Sequence, residues 1–344
     1  MKKPILILKI GTGSITRHDG TLDEPVLVEV ARQLAQLNKR FRLVVVSSGA
    51  VGTGKRFLPD FSGTITERKA AAAIGNPILM NKYSQFLSPY GIAIAQSLCE
   101  RQHFSNRKQF LQLRNTFETL WENNIIPIAN ENDVVSDLEL RFSDNDELAT
   151  LMAVGFGAEK LLIGTSVEGL LDREGKVISH VREVGESILG LADDTRSGPG
   201  LGGMTSKLTF ARLATRMGIK VVIFGLKIPG SMLLAAEESA GTVFSPQSST
   251  LSARDKWIAS SSLVSGRLEV DGGAHQALVN RKSLLAVGVK RVVEPFSRGE
   301  VFELVYETGI PFAVARARLS SEEIEKNIGA KNFEVVHADD IVIL

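Results

Sequence analysis

The sequence has 344 residues, a length that predicts two domains. Its hydrophobic share of 44% and charged share of 23% are ordinary for a globular protein and exclude a wholly disordered chain. The net charge of +1 gives no overall attraction to nucleic acid or anionic membrane. The single cysteine, Cys99, excludes an intrachain disulfide framework and indicates a reducing compartment.

The sequence carries no targeting or membrane pattern. The apolar run after Lys2 and Lys3 is short and is soon followed by Gly11 and Gly13, so it does not predict a signal peptide. No run of about 18 apolar residues is present. The five histidines lie far apart, and no Cys-x-x-Cys pair exists. We therefore expect a cytoplasmic protein with no membrane span and no zinc site.

The first 247 residues alternate short apolar runs with amphipathic helical patterns. The apolar runs are continuous, as in strands that are buried on both faces of a sheet. The longest helical pattern extends from about residue 66 to residue 87. This alternation predicts an α/β fold with a mostly parallel sheet covered by helices on both faces. The predicted strands are residues 4–8, 42–46, 92–95, 125–129, 161–163 and 221–224.

Polar or glycine-rich residues directly follow four of the predicted strands. They are residues 9–14, 47–54, 130–133 and 165–166. The carboxyl ends of parallel strands share one edge of a sheet, and ligands in such folds bind outside that edge. The sequence therefore predicts one binding site to which all four stretches contribute.

Two glycine-rich segments on this edge carry a lysine. Lys9 precedes Gly11 and Gly13, and Lys207 ends the segment 198–207, which opens a helix. Glycines let backbone N–H groups approach phosphate oxygens, and a lysine adds positive charge. The Lys9 segment has neither the Walker nor the G-x-G-x-x-G pattern, and either segment alone also fits a structural turn or loop with a solvated lysine. Together they predict a site for a nucleotide polyphosphate.

The stretch from residue 130 to residue 148 concentrates polar acceptors between two buried elements. A solvated loop is one explanation. Asp144 and Glu147 also fit an Asp-x-x-Glu capping box at the start of a helix. Capping explains neither Asn145 nor the acidic cluster at residues 130–133, so a polar ligand is the alternative.

The pattern changes after about residue 248. Residues 248–254 are polar and predict a linker. Short β-like runs punctuated by glycines then predict a small β-rich domain of residues 255–344, after a first domain of residues 1–247. The second domain carries 11 basic and 13 acidic residues, a net charge of −2, which argues against RNA binding.

Six short motifs spread over the chain carry a family resemblance. They are Lys-Ile-Gly-Thr at 9–12, Ser-Ser-Gly-Ala at 47–50, Asn-Glu-Asn-Asp at 130–133, Asp-Asn-Asp at 144–146, Gly-Gly-Met-Thr-Ser-Lys at 202–207 and Phe-Ser-Arg-Gly-Glu at 296–300. In order and spacing they resemble the glutamate 5-kinase family of the amino acid kinase superfamily. The resemblance implies a three-layer αβα sandwich with a mostly parallel sheet, followed by a small β-rich PUA domain.

The resemblance implies that ATP phosphorylates the γ-carboxylate of L-glutamate to γ-glutamyl phosphate, the first step of proline biosynthesis. Lys9 and Lys207 match the two lysines that flank the moving phosphoryl group, and Asp146 matches the aspartate that holds them. Asp144 is placed near Mg²⁺, which is bound mainly through ATP phosphates. The implied glutamate-binding positions are Ser48, Gly49, Asn130, Asp133 and Asn145. The implied nucleotide-binding positions are Lys9, Gly11, Thr165, Ser166, Gly202, Gly203, Met204 and Lys207.

The sequence departs from the family pattern on the nucleotide side. Where the family usually has Thr-Asp and then Gly-Leu-Tyr, this chain has Thr165-Ser166 and then Gly-Leu-Leu at 169–171. Gly13 stands where a small hydroxyl or amide residue is common. Two alternatives are therefore kept: a related kinase acting on aspartate, N-acetylglutamate, carbamate or UMP, and a homologue with impaired nucleotide binding that binds RNA or protein.

The resemblance also implies partners and a moving segment. It implies a homo-oligomer, proline as feedback inhibitor and a γ-glutamyl phosphate reductase as a further partner. We expect residues 134–143, between the two acidic clusters, to form a mobile flap over the substrate.

Overall fold

The computed structural model of the chain describes residues 2–17, 19–135, 144–193, 203–247, 264–298, 300–307 and 311–343. The chain divides into two units. The first comprises Met1–Arg101 and Leu111–Ser249, and the second comprises Gln102–Phe110 and Thr250–Leu344. The boundaries predicted from the sequence, with a linker at 248–254, stay a prediction.

One eight-stranded sheet forms the centre of the first unit. Its strands are β1 (Ile5–Ile10), β2 (Arg42–Ser47), β3 (Ala93–Cys99), β4 (Ile125–Glu131), β5 (Lys160–Thr165), β6 (His180–Val181), β7 (Lys220–Gly225) and β8 (Thr242–Phe244). Their order across the sheet is β3-β4-β2-β1-β5-β7-β8-β6. Every neighbouring pair is parallel except β7 with β8. The predicted mostly parallel sheet is therefore confirmed.

Helices cover both faces of this sheet. Up to residue 247 the helices of the chain are α1 (Thr12–Ile15), α2 (Glu24–Asn38), α3 (Ala50–Gly54), α4 (Ile65–Leu87), α5 (Gln102–Ser105), α6 (Arg107–Glu122), α7 (Asn145–Phe156), α8 (Glu186–Asp193), α9 (Met204–Arg216) and α10 (Ser231–Ala236), of which α5 belongs to the second unit. On one face α2, α4 and α10 share a buried apolar core with alternate residues of β1, including Leu6 and Leu8. Helix α7 packs on the other face of β1, and α9 packs on α7. No helix in the described parts of the chain is long and apolar enough to cross a membrane.

The first strand is longer than the sequence predicted, and this changes the setting of Lys9. Hydrogen-bonded neighbours on both sides carry β1 through Ile10, whose register partners are Ser47 and Gly164. Lys9 therefore lies inside a strand rather than in a glycine-rich turn. Successive side chains of a strand point to opposite faces, so Lys9 projects away from Leu8 and toward α7.

The second unit is β-rich, as predicted. Its elements are β9 (Val264–Val270), α11 (Gly272–Val279), β10 (Leu284–Leu285), β11 (Val289–Glu294), β12 (Val301–Val305), β13 (Pro311–Arg316), α12 (Ser321–Glu325), β14 (Glu334–Val336) and β15 (Ile341–Ile343). Five strands form one sheet of order β11-β9-β12-β13-β15, and β10 pairs with β14. Its apolar core includes Leu268, Leu304 and the stacked rings of Phe296 and Phe302.

Helices α3 and α4 touch backbone to backbone through two glycines. A Cβ atom on Gly75 of α4 would lie 1.8 Å from the carbonyl oxygen of Ala50, and one on Gly54 would lie 1.9 Å from that of Ala71. Real Cβ atoms do not approach so closely, so both positions require glycine. The contact fixes α3, which begins just after Ser48 and Gly49, against α4.

We predict that Gly75→Ala lowers the free energy of unfolding by about 1–3 kcal/mol, because the backbone of α3 or α4 has to shift. Gly190→Ala in α8 is the matched control, since a Cβ atom there meets nothing within 4 Å. Within a helix that control change should leave stability unchanged or raise it by up to about 1 kcal/mol. Urea unfolding of both variants measures the difference in the free energy of unfolding. Equal stabilities of Gly75→Ala and Gly190→Ala would contradict the role given to the contact between α3 and α4.

Candidate active site

Residues predicted to bind ligand meet at the carboxyl edge of the first unit's sheet. The central strand β1 brings Lys9, and α7 brings Asn145 and Asp146. Ser48 and Asn130 come from β2 and β4, on one side of β1. Thr165 comes from the end of β5, on the other side. The strand order therefore separates the predicted glutamate positions from the predicted nucleotide positions, with Lys9 between them.

Asp146 is fully buried and pairs with both predicted lysines. Lys9 Nζ lies 2.7 Å from one carboxylate oxygen, and Lys207 Nζ lies 3.1 Å from the other. The lysine side chains are themselves only 7% and 8% exposed. Burial by itself raises the pKa of Asp146, but the charges of Lys9 and Lys207 outweigh it and lower the pKa. The trio keeps a net charge of +1 in a nearly closed site, which suits an anionic group.

Asp144 begins α7 as its N-cap. Its Oδ1 accepts hydrogen bonds from the backbone N–H groups of Asp146 and Glu147, and its Oδ2 accepts one from the Ser206 hydroxyl. Burial, and then the nearby charge of Asp146, raises the pKa of Asp144. The predicted helix cap is present, while the carboxylate of Glu147 pairs with Arg101 at 2.7 Å.

A chain of amide and hydroxyl groups lies beside Asp146. Asn145 Nδ2 donates to Ser48 Oγ and to Asn130 Oδ1, each at 2.9 Å. Asn130 Nδ2 in turn donates to Asn76 Oδ1 at 3.0 Å. Asn76 and Asn130 are both buried, at 5% and 3% exposure. These side chains are held by one another and form a preorganised polar wall.

The loop after β2 requires a residue with a left-handed backbone conformation. Gly49 has φ of 108°, a conformation that side-chain-bearing residues rarely adopt. It lets the chain turn directly into α3 and leaves Ser48 at the sheet edge, where the Ser48 N–H donates to the Ile10 carbonyl. Asp133 lies two residues past β4 and is half-buried.

The loop after β1 is tied to the end of β5. The Gly11 N–H donates to the Gly164 carbonyl at 3.2 Å, one residue before Thr165. A Cβ atom on Gly11 would lie 3.8 Å from Lys9 Nζ, so the backbone here lies close to the lysine. Ser166 is exposed just beyond. Gly203 and Met204 stand at the start of α9, while Gly202 and residues 136–143 of the predicted flap lie outside the described residues.

Comparisons with known proteins match two separate stretches of the chain. The amino acid kinase family model matches residues 4–225, and the PUA domain model matches residues 266–338. Glutamate 5-kinase from Haemophilus influenzae (strain PittGG) is 34% identical, with 100% of each chain covered. Glutamate 5-kinase from Caldanaerobacter subterraneus subsp. tengcongensis is 35% identical, with 98% of this chain and 97% of that protein covered. The chain belongs to the glutamate 5-kinase family.

A solved structure supports the fold of the family's catalytic domain. Giardia carbamate kinase covers 71% of this chain and 99% of its own, with a TM-score of 0.51 at 18% identity. At that identity the similarity concerns the fold alone. The three-layer αβα arrangement and the PUA domain expected from the motifs are thus confirmed.

Sequence reasoning missed three side chains that the glutamate 5-kinase fold brings to this edge. Asn76 interrupts an alanine-rich helix between Gly75 and Pro77, and that isolated polar residue was a usable signal. Ser206 lies inside a recognised motif but had no assigned role. Arg101 follows β3 with no distinguishing pattern, and only the fold places it against Glu147.

We predict that Asp146→Ala lowers the free energy of unfolding by about 3–5 kcal/mol at neutral pH, because two buried ammonium groups lose their counterion. The folded-state pKa of Asp146 lies below its ordinary value of 3.8. The stabilisation of the folded state by ionised Asp146 is therefore fully present above pH 3.8 and is lost as the pH falls through the folded-state pKa.

Urea unfolding at several pH values measures this contribution. The difference between wild type and variant should be largest near neutral pH and shrink only below about pH 4. Asp60→Ala is the control, because Asp60 is exposed. A variant of Asp146 as stable as the Asp60 control would contradict the ion-pair account.

Proposed function

We propose that this chain transfers the γ-phosphoryl group of ATP to the γ-carboxylate of L-glutamate, giving γ-glutamyl phosphate. The observation that carries the proposal is the sheet edge itself. A buried aspartate holds two lysines at its centre, and a wall of amides and a hydroxyl lies beside them. The first feature suits phosphate and the second suits a carboxylate.

The reaction needs no strong base on the protein. A carboxylate is already ionised at neutral pH, so its oxygen can attack phosphorus directly. The barrier then lies in bringing two anions together and in stabilising charge on the transferred group. We assign that work to Lys9 and Lys207, whose ammonium groups Asp146 holds in fixed positions before substrate arrives.

The amide wall supports the acceptor assignment. Glutamate is held, in this proposal, by Ser48, Asn130 and Asn145, with Gly49 giving the backbone room to turn. Neutral donors can bind carboxylate oxygens without the repulsion that an acidic side chain would bring. Asp133 is assigned to the substrate ammonium group, for which a carboxylate is the suitable partner.

Magnesium fits this site through the nucleotide rather than through a protein cage. In the described parts of the chain, no group of three or more acidic, histidine or cysteine side chains could hold a metal ion. Both oxygens of Asp144 already accept hydrogen bonds, which leaves limited capacity for a cation. We therefore expect Mg²⁺ to be held mainly by phosphate oxygens and water, with Asp144 close by. When bound, it neutralises charge on those oxygens.

The nucleotide is assigned to the β5 side of the site. Gly11, Thr165, Ser166, Gly203 and Met204 are the described residues proposed to contact it. Backbone groups at the starts of helices favour phosphate, because their first N–H groups lack intrahelical partners. Leu171 stands where the family usually has a tyrosine. It forms an antiparallel bridge with Val177.

The remaining partners follow from the family resemblance. We propose a cytoplasmic homo-oligomer inhibited by proline, whose product passes to a γ-glutamyl phosphate reductase. RNA binding by the second unit is not expected. Several of its basic side chains are paired with acidic ones, as Lys290 and Arg291 are with Glu269.

The direct test is trapping of the acyl phosphate by hydroxylamine as a hydroxamate. We expect hydroxamate to form only with ATP, Mg²⁺ and L-glutamate together. Aspartate, N-acetylglutamate, carbamate and UMP serve as alternative acceptors, with ADP release measured for those that give no hydroxamate. Purified protein that forms no product with glutamate but turns over another acceptor would refute the proposal.

Contaminating activity is excluded with Lys207→Ala, which should lose nearly all turnover because one of the two buried cations is removed. Lys39→Ala is its matched control, since Lys39 is exposed just past the end of α2. Turnover that survives Lys207→Ala would refute the role given to Lys207.

A further inference from the structure

Asn76 is an internal residue of α4, a helix that carries none of the assigned site residues. Its side chain nevertheless reaches the amide wall, where Oδ1 accepts from Asn130 Nδ2 at 3.0 Å. Gly75, its neighbour, makes the backbone contact with α3. The same turn of α4 thus adjoins both Asn130 and the helix that follows Ser48.

The orientation of the amides follows from one backbone group. The Glu131 N–H can only donate, and it donates to Asn130 Oδ1 at 3.0 Å. The NH₂ group of Asn130 must therefore point toward Asn76, and the side-chain carbonyl oxygen of Asn76 must accept its hydrogen bond. This fixes both amide orientations by hydrogen-bond chemistry rather than by shape.

These hydrogen bonds use only the Oδ1 atom of Asn76 and leave its NH₂ group without an acceptor among the described residues. Among the described residues it has no hydrogen-bond partner, and it is not among the polar atoms that are completely enclosed without one. A nearly buried amide with an unused donor that still reaches accessible space calls for an acceptor, because leaving it unpaired is costly. The wall it belongs to is the one assigned to a carboxylate.

We propose that Asn76 is a further residue of the acceptor pocket, whose NH₂ group donates to a carboxylate oxygen of the bound acceptor while its Oδ1 holds Asn130. The proposal rests on the function proposed above. It adds α4 to the elements that contact substrate, and it assigns Asn76 to acceptor binding rather than to the nucleotide.

The decisive variant is Asn76→Asp, which keeps an oxygen for Asn130 and replaces the donor with an acceptor. We expect the KM for glutamate to rise at least about tenfold, because a charge-assisted hydrogen bond is lost and a repulsive contact is added. The KM for ATP should stay within about twofold, since the nucleotide lies on the other side of β1. Asn81→Asp, an exposed position on the same helix, is the matched control and should change neither constant.

A wild-type KM for glutamate in folded Asn76→Asp would overturn the proposal, and so would an equal rise in both KM values. If thermal melting shows that this variant does not fold, Asn76→Ala removes the donor without adding charge. That variant should raise the KM for glutamate at least about fivefold, and an unchanged value would overturn the proposal.

If the proposed function is wrong, the wild-type protein itself forms no hydroxamate with glutamate. This result differs from the altered KM values that test Asn76. Titration calorimetry with L-glutamate alone then tests Asn76 without turnover. We expect binding to wild type and to Asn81→Asp, and at least about tenfold weaker binding to Asn76→Asp. Equal binding to all three proteins would overturn the inference.

Discussion

The site depends on one buried carboxylate between two lysines. A buried charge is stable only when it is paired with opposite charge or hydrogen-bonded. Each carboxylate oxygen of Asp146 pairs with the ammonium group of one lysine. Because Lys9 comes from β1, Asp146 from α7 and Lys207 from α9, the same interaction ties the central strand to α7 and α9. Because two ammonium groups share one carboxylate, these three side chains together carry a net charge of +1. The ion pairs that stabilise the buried carboxylate are thus the same ones that we propose for phosphate binding.

The strand order separates the proposed acceptor site from the proposed nucleotide site. β2 and β4 lie on one side of β1, and β5 and β7 lie on the other. Ser48 and Asn130, which we propose to bind the acceptor, come from the first side, and Thr165, which we propose to contact the nucleotide, comes from the second. The acceptor side is built from neutral amides whose orientations are set by the backbone N–H of Glu131. In the proposed reaction, the two anionic substrates therefore approach the same lysines from opposite sides of β1.

The sequence predicted the architecture well, because buried parallel strands and their polar ends leave clear local patterns. It also predicted that Lys9, Asp146 and Lys207 belong together, through the family motifs. It placed Lys9 in a turn, because Lys9 interrupts the apolar run after Leu8 and only the pairing with the neighbouring strands shows that β1 continues. Asn76 and Arg101 were missed, since their roles depend on partners 54 and 46 residues away. Such contacts exist only once the fold is formed.

We propose that the phosphoryl group moves between Lys9 and Lys207 toward an acceptor on the β2–β4 side. A crystal structure with a non-hydrolysable ATP analogue, Mg²⁺ and L-glutamate tests it most directly. We expect both lysine Nζ atoms within about 3.5 Å of phosphoryl oxygens, with the glutamate γ-carboxylate beside Ser48 and Asn145. A terminal phosphate bound away from both lysines, or glutamate bound on the β5 side, would contradict it.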